Sequence, residues 1–68
     1  MKLSARNKVN GTVTSVHAGE AIANVHVDVG NFELVASITV EAVRELGIEP
    51  GTKVTAIVKA SDVMLATD

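Results

Sequence analysis

Ala36-Ser37-Ile38-Thr39-Val40-Glu41-Ala42-Val43-Arg44-Glu45-Leu46-Gly47 is the stretch on which the fold turns, because the spacing of apolar residues changes within it. Up to Ile38 they recur at every second position, Phe32, Leu34, Ala36 and Ile38, as in a strand with one buried face; Glu33, Val35 and Ser37 fall on the other. From Val40 the spacing becomes three, Val40, Val43 and Leu46, which is a helical stripe. Thr39, at the junction, has the side chain to cap the first helical turn, Glu41 favours the helix dipole, and Gly47 supplies the stop. Ile48 is placed for the apolar contact that accompanies such a stop, and Glu49-Pro50-Gly51 turns the chain. A strand therefore hands over to a short helix.

Toward the N-terminus, Ala21, Ala23, Val25, Val27 and Val29 alternate with Ile22, Asn24, His26 and Asp28, the cleanest strand pattern in the chain. Gly30-Asn31 joins it to the next strand as a hairpin. His17-Ala18-Gly19-Glu20 forms the turn before it. Residues 3–16 read as one long first strand whose phase changes: Val9 and Val13 share a face and Val16 takes the other, which predicts a bulge or bend, placed at Gly11. Toward the C-terminus, Val54, Ala56, Val58 and Ala60 oppose Lys53, Thr55, Ile57 and Lys59 in a fourth strand. After Ser61-Asp62, residues 63–66 read as a short fifth strand. The order β-β-β-α-β-β predicts an all-β fold, a five-stranded Greek-key barrel of the OB-fold type with the helix between strands 3 and 4. Closure of such a barrel brings the end of the third strand near the first. No internal repeat or linker divides residues 1–68, which read as one domain.

Such a domain is short of core. At 68 residues and 7.0 kDa, surface scaling gives roughly 4,000 Å² exposed when folded, close to the lower limit for a self-sufficient monomer. There is no cysteine, so neither a disulfide nor a thiolate metal cluster can help, and oligomerisation is the remaining support. A hydrophobic content of 47% with mean hydropathy +0.33 points the same way. No apolar run is long enough to span a membrane and the N-terminus lacks the apolar core of a secretory signal, so a cytoplasmic location is expected. A net charge of −2 argues against a general binder of nucleic acid or acidic membrane, and any anion site must be a local concentration of donors.

Two short segments offer that concentration. Ser4-Ala5-Arg6-Asn7 and Val58-Lys59-Ala60-Ser61 each set one fixed cation beside a hydroxyl and beside small residues that leave backbone amides accessible. Arg6 provides a planar fork of donors and Lys59 a compact point charge. Read separately, each segment also fits a solvated strand.

Taken together these segments carry a resemblance. Ser4-Ala5-Arg6-Asn7, Gly11, Ala36-Ser37-Ile38-Thr39, Leu46-Gly47, Pro50-Gly51 and Ala56-Ile57-Val58-Lys59-Ala60-Ser61-Asp62-Val63-Met64 resemble the molbindin family (Mop domain) over nearly the full length. The resemblance implies an OB-fold protomer whose N-terminal strand reaches a partner, and dimers joined in threes as a hexamer. It implies molybdate or tungstate as the bound ligand at subunit interfaces, in more than one class of site, with no organic cofactor. By motif position Ser4, Arg6, Thr39, Lys59, Ala60 and Ser61 correspond to the family's oxyanion contacts, several of them through backbone amides. Nothing in residues 18–22 matches well enough to assign the second class. The implied role is intracellular storage, buffering or homeostasis of molybdenum. The same domain also occurs in regulators and transporter ATPases, which leaves an oxyanion-responsive regulatory or interaction module as the alternative; with no helix-turn-helix or ATPase segment in 68 residues, storage is preferred.

Other chemistries fit less well. His26 and Asp28 share a strand face and His17 lies in the preceding turn, but a metal cation needs three ligands and the pattern suggests two, so no cation site is expected. No serine or threonine sits in a motif with a histidine base and its carboxylate, and no enzyme activity is expected. Single-stranded nucleic acid, which many OB-folds bind by stacking bases on aromatics in a basic groove, is disfavoured by a single aromatic and a negative net charge.

Overall fold

In a computed structural model, which describes Ser4 and residues 6–68, the chain forms β1 (Asn7–Ala18), β2 (Ile22–Asp28), β3 (Glu33–Thr39), α1 (Val40–Leu46) and β4 (Lys53–Val58), followed by a 3-10 turn (Ala60–Asp62). The four strands make one curled antiparallel sheet in the order β3-β2-β1-β4. β1 is long because it serves two neighbours: residues 7–12 pair with β4 and residues 12–18 with β2. The expected start of the first strand at Leu3, and Ala5 of the opening motif, lie outside the described residues.

The phase change in β1 is real, and it is a bulge at Thr14, not at Gly11. Val13 pairs with Val27 and Ser15 with His26, so the register slips by one between them. The Thr14 hydroxyl donates to the His26 carbonyl at 3.2 Å and holds the extra residue in place. Gly11 has a different task, close approach: a Cβ there would lie 2.6 Å from Val27 Cγ1 and 2.7 Å from the Asp28 carbonyl oxygen. The turn expected at residues 17–20 also moves. β1 continues to Ala18, and Gly19 N–H donates to the Ile22 carbonyl to close the hairpin.

The handover from strand to helix occurs as the spacing predicts. Thr39 is the last residue of β3, and its hydroxyl oxygen accepts from the Ala42 amide at 3.0 Å, a cap that contributes about 1 kcal/mol. Gly47 takes the left-handed conformation, φ 64°, that other residues adopt only at a cost, and Ile48 N–H donates to the Val43 carbonyl at 3.0 Å to complete the stop. Ile48 packs against the core, as does Val43, but Leu46 at the end of the stripe is exposed. Phe32 is exposed as well. It belongs to the loop before β3, where its carbonyl accepts from Val29 N–H, so the strand's alternation starts one residue later.

The core consists of Val13, Ala23, Val25 and Val27, with Leu34, Ala36, Ile38 and Val54 among the half-buried residues around it. The expected fifth strand is absent among the described residues, and the ladder is not closed by a pairing between β3 and β4. β4 ends at Val58, the 3-10 turn follows, and residues 63–66 pair with no strand among the described residues. Their sequence, Val63-Met64-Leu65-Ala66, is apolar throughout and has no alternation to distinguish an inner face from an outer one.

Candidate functional site

Antiparallel pairing of β1 with β4 runs from Thr12↔Lys53 to Asn7↔Val58. One step beyond that last rung stand Arg6 and Lys59, so two cations separated by more than fifty positions in sequence are brought to the same end of one ladder. Both are exposed, and among the described residues the only ion pair joins His26 and Glu33, so neither cation is engaged by a carboxylate. Ser4, exposed in a bend, precedes Arg6 on the same arm.

Lys59 is extended (φ −64°, ψ 134°) and leads directly into the 3-10 turn. Within that turn Asp62 N–H donates to the Lys59 carbonyl at 2.8 Å and Val63 N–H to the Ala60 carbonyl at 3.2 Å. The amides of Ala60 and Ser61, first in the turn, therefore have no acceptor within it. With Ala60 contributing only a methyl group, this corner offers two positive charges, the Ser61 hydroxyl and two amides to a small anion.

Thr39 lies elsewhere. It pairs with Ile22, and Ala23 beside it pairs with Ala18, which puts Thr39 level with the far end of β1 from Arg6. It lines a cleft of about 440 Å³ with Glu20, Ala21, Val40, Glu41 and Arg44. The six residues indicated by the motifs thus fall into two groups: Ser4, Arg6, Lys59, Ala60 and Ser61 at one end of the ladder, and Thr39 at the other. Among the described residues no strand pairing joins the two ends.

His26 and Asp28 fall on one face of β2, as the alternation predicts, but their side chains take different partners. The Asp28 carboxylate turns back to accept from the Gly30 amide at 2.9 Å, whereas His26 Nδ1 contacts the Glu33 carboxylate and its ring lies against that of His17. Strand register decides this, and the register of β2 against β3 was the signal available for it. Arg44, the cation of the Thr39 cleft, was also missed; as a last-turn helix residue it had only its complementarity to the helix dipole to mark it. Among the described residues no group of three histidines, aspartates or glutamates is arranged to hold a metal ion.

With the geometry established, comparison with known proteins identifies the chain. Residues 3–65 match the TOBE domain family. The chain belongs to that family, in its molbindin (Mop) type. It is 41% identical over 69 residues to a probable molybdenum-pterin-binding protein of Haemophilus influenzae, covering all of both chains. The structure superposes on that of a molybdate binding protein from Sporomusa ovata with a TM-score of 0.95 at 42% identity, covering 98% of this chain and 100% of that one. It also matches the cytoplasmic molybdate-binding protein ModG, solved with molybdate bound, with a TM-score of 0.90 at 40% identity over 94% of this chain and 46% of ModG. The family is one of binding proteins and not of enzymes.

Proposed function

We propose that this chain, a single domain over residues 1–68, binds molybdate or tungstate at interfaces between its own copies and serves as an intracellular store or buffer of molybdenum. The observation that carries the reading is the juxtaposition of Arg6 and Lys59 at the end of the β1–β4 ladder, beside the amides of Ala60 and Ser61, which have no acceptor within the 3-10 turn. Two relatives matched from end to end, the molybdate binding protein from Sporomusa ovata and the probable molybdenum-pterin-binding protein of Haemophilus influenzae, support the choice of ion. The protomer reads as an OB-type fold, on the strength of its curled sheet and the helix between β3 and β4.

Three features support an interface. Thr39 cannot join the other five residues through the pairings of one chain, but a second copy can bring its own Thr39 to them. The accessible surface of 5369 Å² exceeds by about a third the roughly 4,000 Å² expected of a compact monomer of this mass. Much of the excess is apolar, with Met64 and Leu65 more than nine-tenths exposed and Ile22, Val35 and Ile57 about half exposed. A hexamer built as a trimer of dimers satisfies all three. A cytoplasmic location accords with the description of ModG, and no helix among the described residues is long and apolar enough to cross a membrane.

The mechanism is rigid complementarity without proton transfer. A tetrahedral dianion is held by charge-assisted hydrogen bonds from Arg6 and Lys59 and by hydroxyl and amide donors. Sulfate has the same shape and charge, so selection must be by size: donors fixed for the longer metal–oxygen bonds sit beyond good hydrogen-bond distance from a smaller ion. Hydrogen phosphate needs an acceptor for its proton, and the six residues include no carboxylate. Competition calorimetry tests this reading. Molybdate is expected to bind in the presence of a large excess of sulfate; displacement by sulfate at comparable concentration would reduce the site to a generic anion nest.

A further inference from the structure

The bulge at Thr14 has a chemical consequence. Val13 faces the core, and in an unbroken strand Ser15 and His17, two and four positions on, would face it too. The extra residue reverses them. Ser15 comes opposite His26 and His17 opposite Asn24, on the solvent side of the sheet, where His17 and His26 are diagonal neighbours across β1 and β2. On β3, Val35 pairs with His26, which makes Glu33 the next diagonal neighbour in the same row. Glu33, His26 and His17 thus form one line across three strands. It lies at the Ala18 end of β1, away from Arg6 and Lys59.

We propose that His17 and His26 form a binding site for a divalent transition-metal ion that favours imidazole, such as Ni²⁺, Zn²⁺ or Cu²⁺. The Glu33 carboxylate contacts His26 Nδ1, and a hydrogen bond from Nδ1–H leaves Nε2 with its lone pair directed away from Glu33. A carboxylate behind a histidine in this way orients the ring and raises its basicity as a ligand. The second imidazole stands at the right distance. Two rings bound to one ion at metal–nitrogen lengths of about 2.0–2.1 Å and a tetrahedral angle have centroids about 5.2 Å apart, and the centroids of His17 and His26 are 5.4 Å apart. The rings meet edge to face at 79°, and His17 is exposed, so its side chain can turn to present a nitrogen without movement of the backbone. Two imidazoles fall one short of the three protein ligands of a resident zinc centre, so the ion is an exchangeable one whose remaining positions are filled by water. Magnesium, which prefers oxygen ligands, is excluded by the same chemistry. The site does not depend on the oxyanion reading.

The test is calorimetric titration of the chelator-treated full chain with NiCl₂ and with ZnCl₂. About one ion per chain is expected, insensitive to excess Mg²⁺, with affinity reduced at least 100-fold in His17→Asn and in His26→Asn. Glu33→Gln should weaken binding by about 10- to 100-fold while keeping the stoichiometry, as expected for a group acting through a ligand. Far-UV circular dichroism of the metal-free variants checks that they fold. A second readout needs no variant: the paramagnetic resonance spectrum with one equivalent of Cu²⁺ should carry splitting from two imidazole nitrogens. Absence of binding, equal binding by the histidine variants, or a spectrum with fewer than two nitrogens would overturn the proposal.

Discussion

Gly11→Ala is expected to destabilise the protein by about 3 kcal/mol, the upper end of the usual cost of overpacking. The new Cβ would lie 2.6 Å from Val27 Cγ1, 2.7 Å from the Asp28 carbonyl oxygen and 3.1 Å from Val29 Cγ1. The valine side chains can rotate a little, but the carbonyl belongs to β2, which is held between β1 and β3 by hydrogen bonds on both edges. Relief therefore requires β1 and β2 to separate beside the pair Val13–Val27, two of the four buried core residues. Replacing glycine also restricts the unfolded chain, which stabilises by about 0.4–1 kcal/mol, too little to offset the clash. In a domain of this size the loss corresponds to a Tm lowered by roughly 12 to 24 °C. Thermal denaturation followed by circular dichroism at one fixed protein concentration is the check, and a Tm within a few degrees of wild type would mean that β2 yields far more easily than its two ladders imply.

Arg6→Gln and Lys59→Gln are each expected to weaken molybdate binding by about 2–3 kcal/mol, or about 30- to 150-fold. Each substitution removes a charge-assisted hydrogen bond and leaves a desolvated dianion short of one compensating charge. Stability without ligand should change little, because both side chains are exposed and neither is paired with a carboxylate among the described residues. Lys8→Gln is the control for simple loss of positive charge. Lys8 is also exposed on β1 but pairs with Ile57, inside the ladder and away from the 3-10 turn. Calorimetric titration distinguishes the cases. Curves for Arg6→Gln and Lys59→Gln that match wild type would make both residues bystanders, and an equal loss in all three variants would reduce the effect to net charge.

Local signals were legible wherever spacing and punctuation agreed. Thr39, Val40, Val43 and Gly47 predicted the helix with both its ends, and Val25 and Val27 predicted the buried face of β2. Gly11 misled because glycine in a strand has two uses, and here its lack of a Cβ serves close approach while the bulge falls at Thr14, whose hydroxyl can hold it. Residues 63–66 misled because an apolar run without alternation has no register, and only a neighbouring edge could make it a strand.

For the proposed site, the motifs indicated candidate residues but not where the fold would place them. The approach of Arg6 to Lys59 depends on the Asn7↔Val58 pairing, a non-local contact that neither segment contains. The separation of Thr39 from the other five depends on strand order. His17 became a neighbour of His26 through a one-residue slip that pattern reading had assigned to another position.

Binding of the oxyanion between copies of the chain is the claim on which the functional account rests, and native mass spectrometry tests it most directly. Protein brought to saturation with molybdate should appear as an oligomer, a hexamer in the arrangement proposed, that carries the mass of bound oxyanion, while any residual monomer carries none. A folded monomer that retains molybdate, or an oligomer that takes up none at saturation, would contradict it.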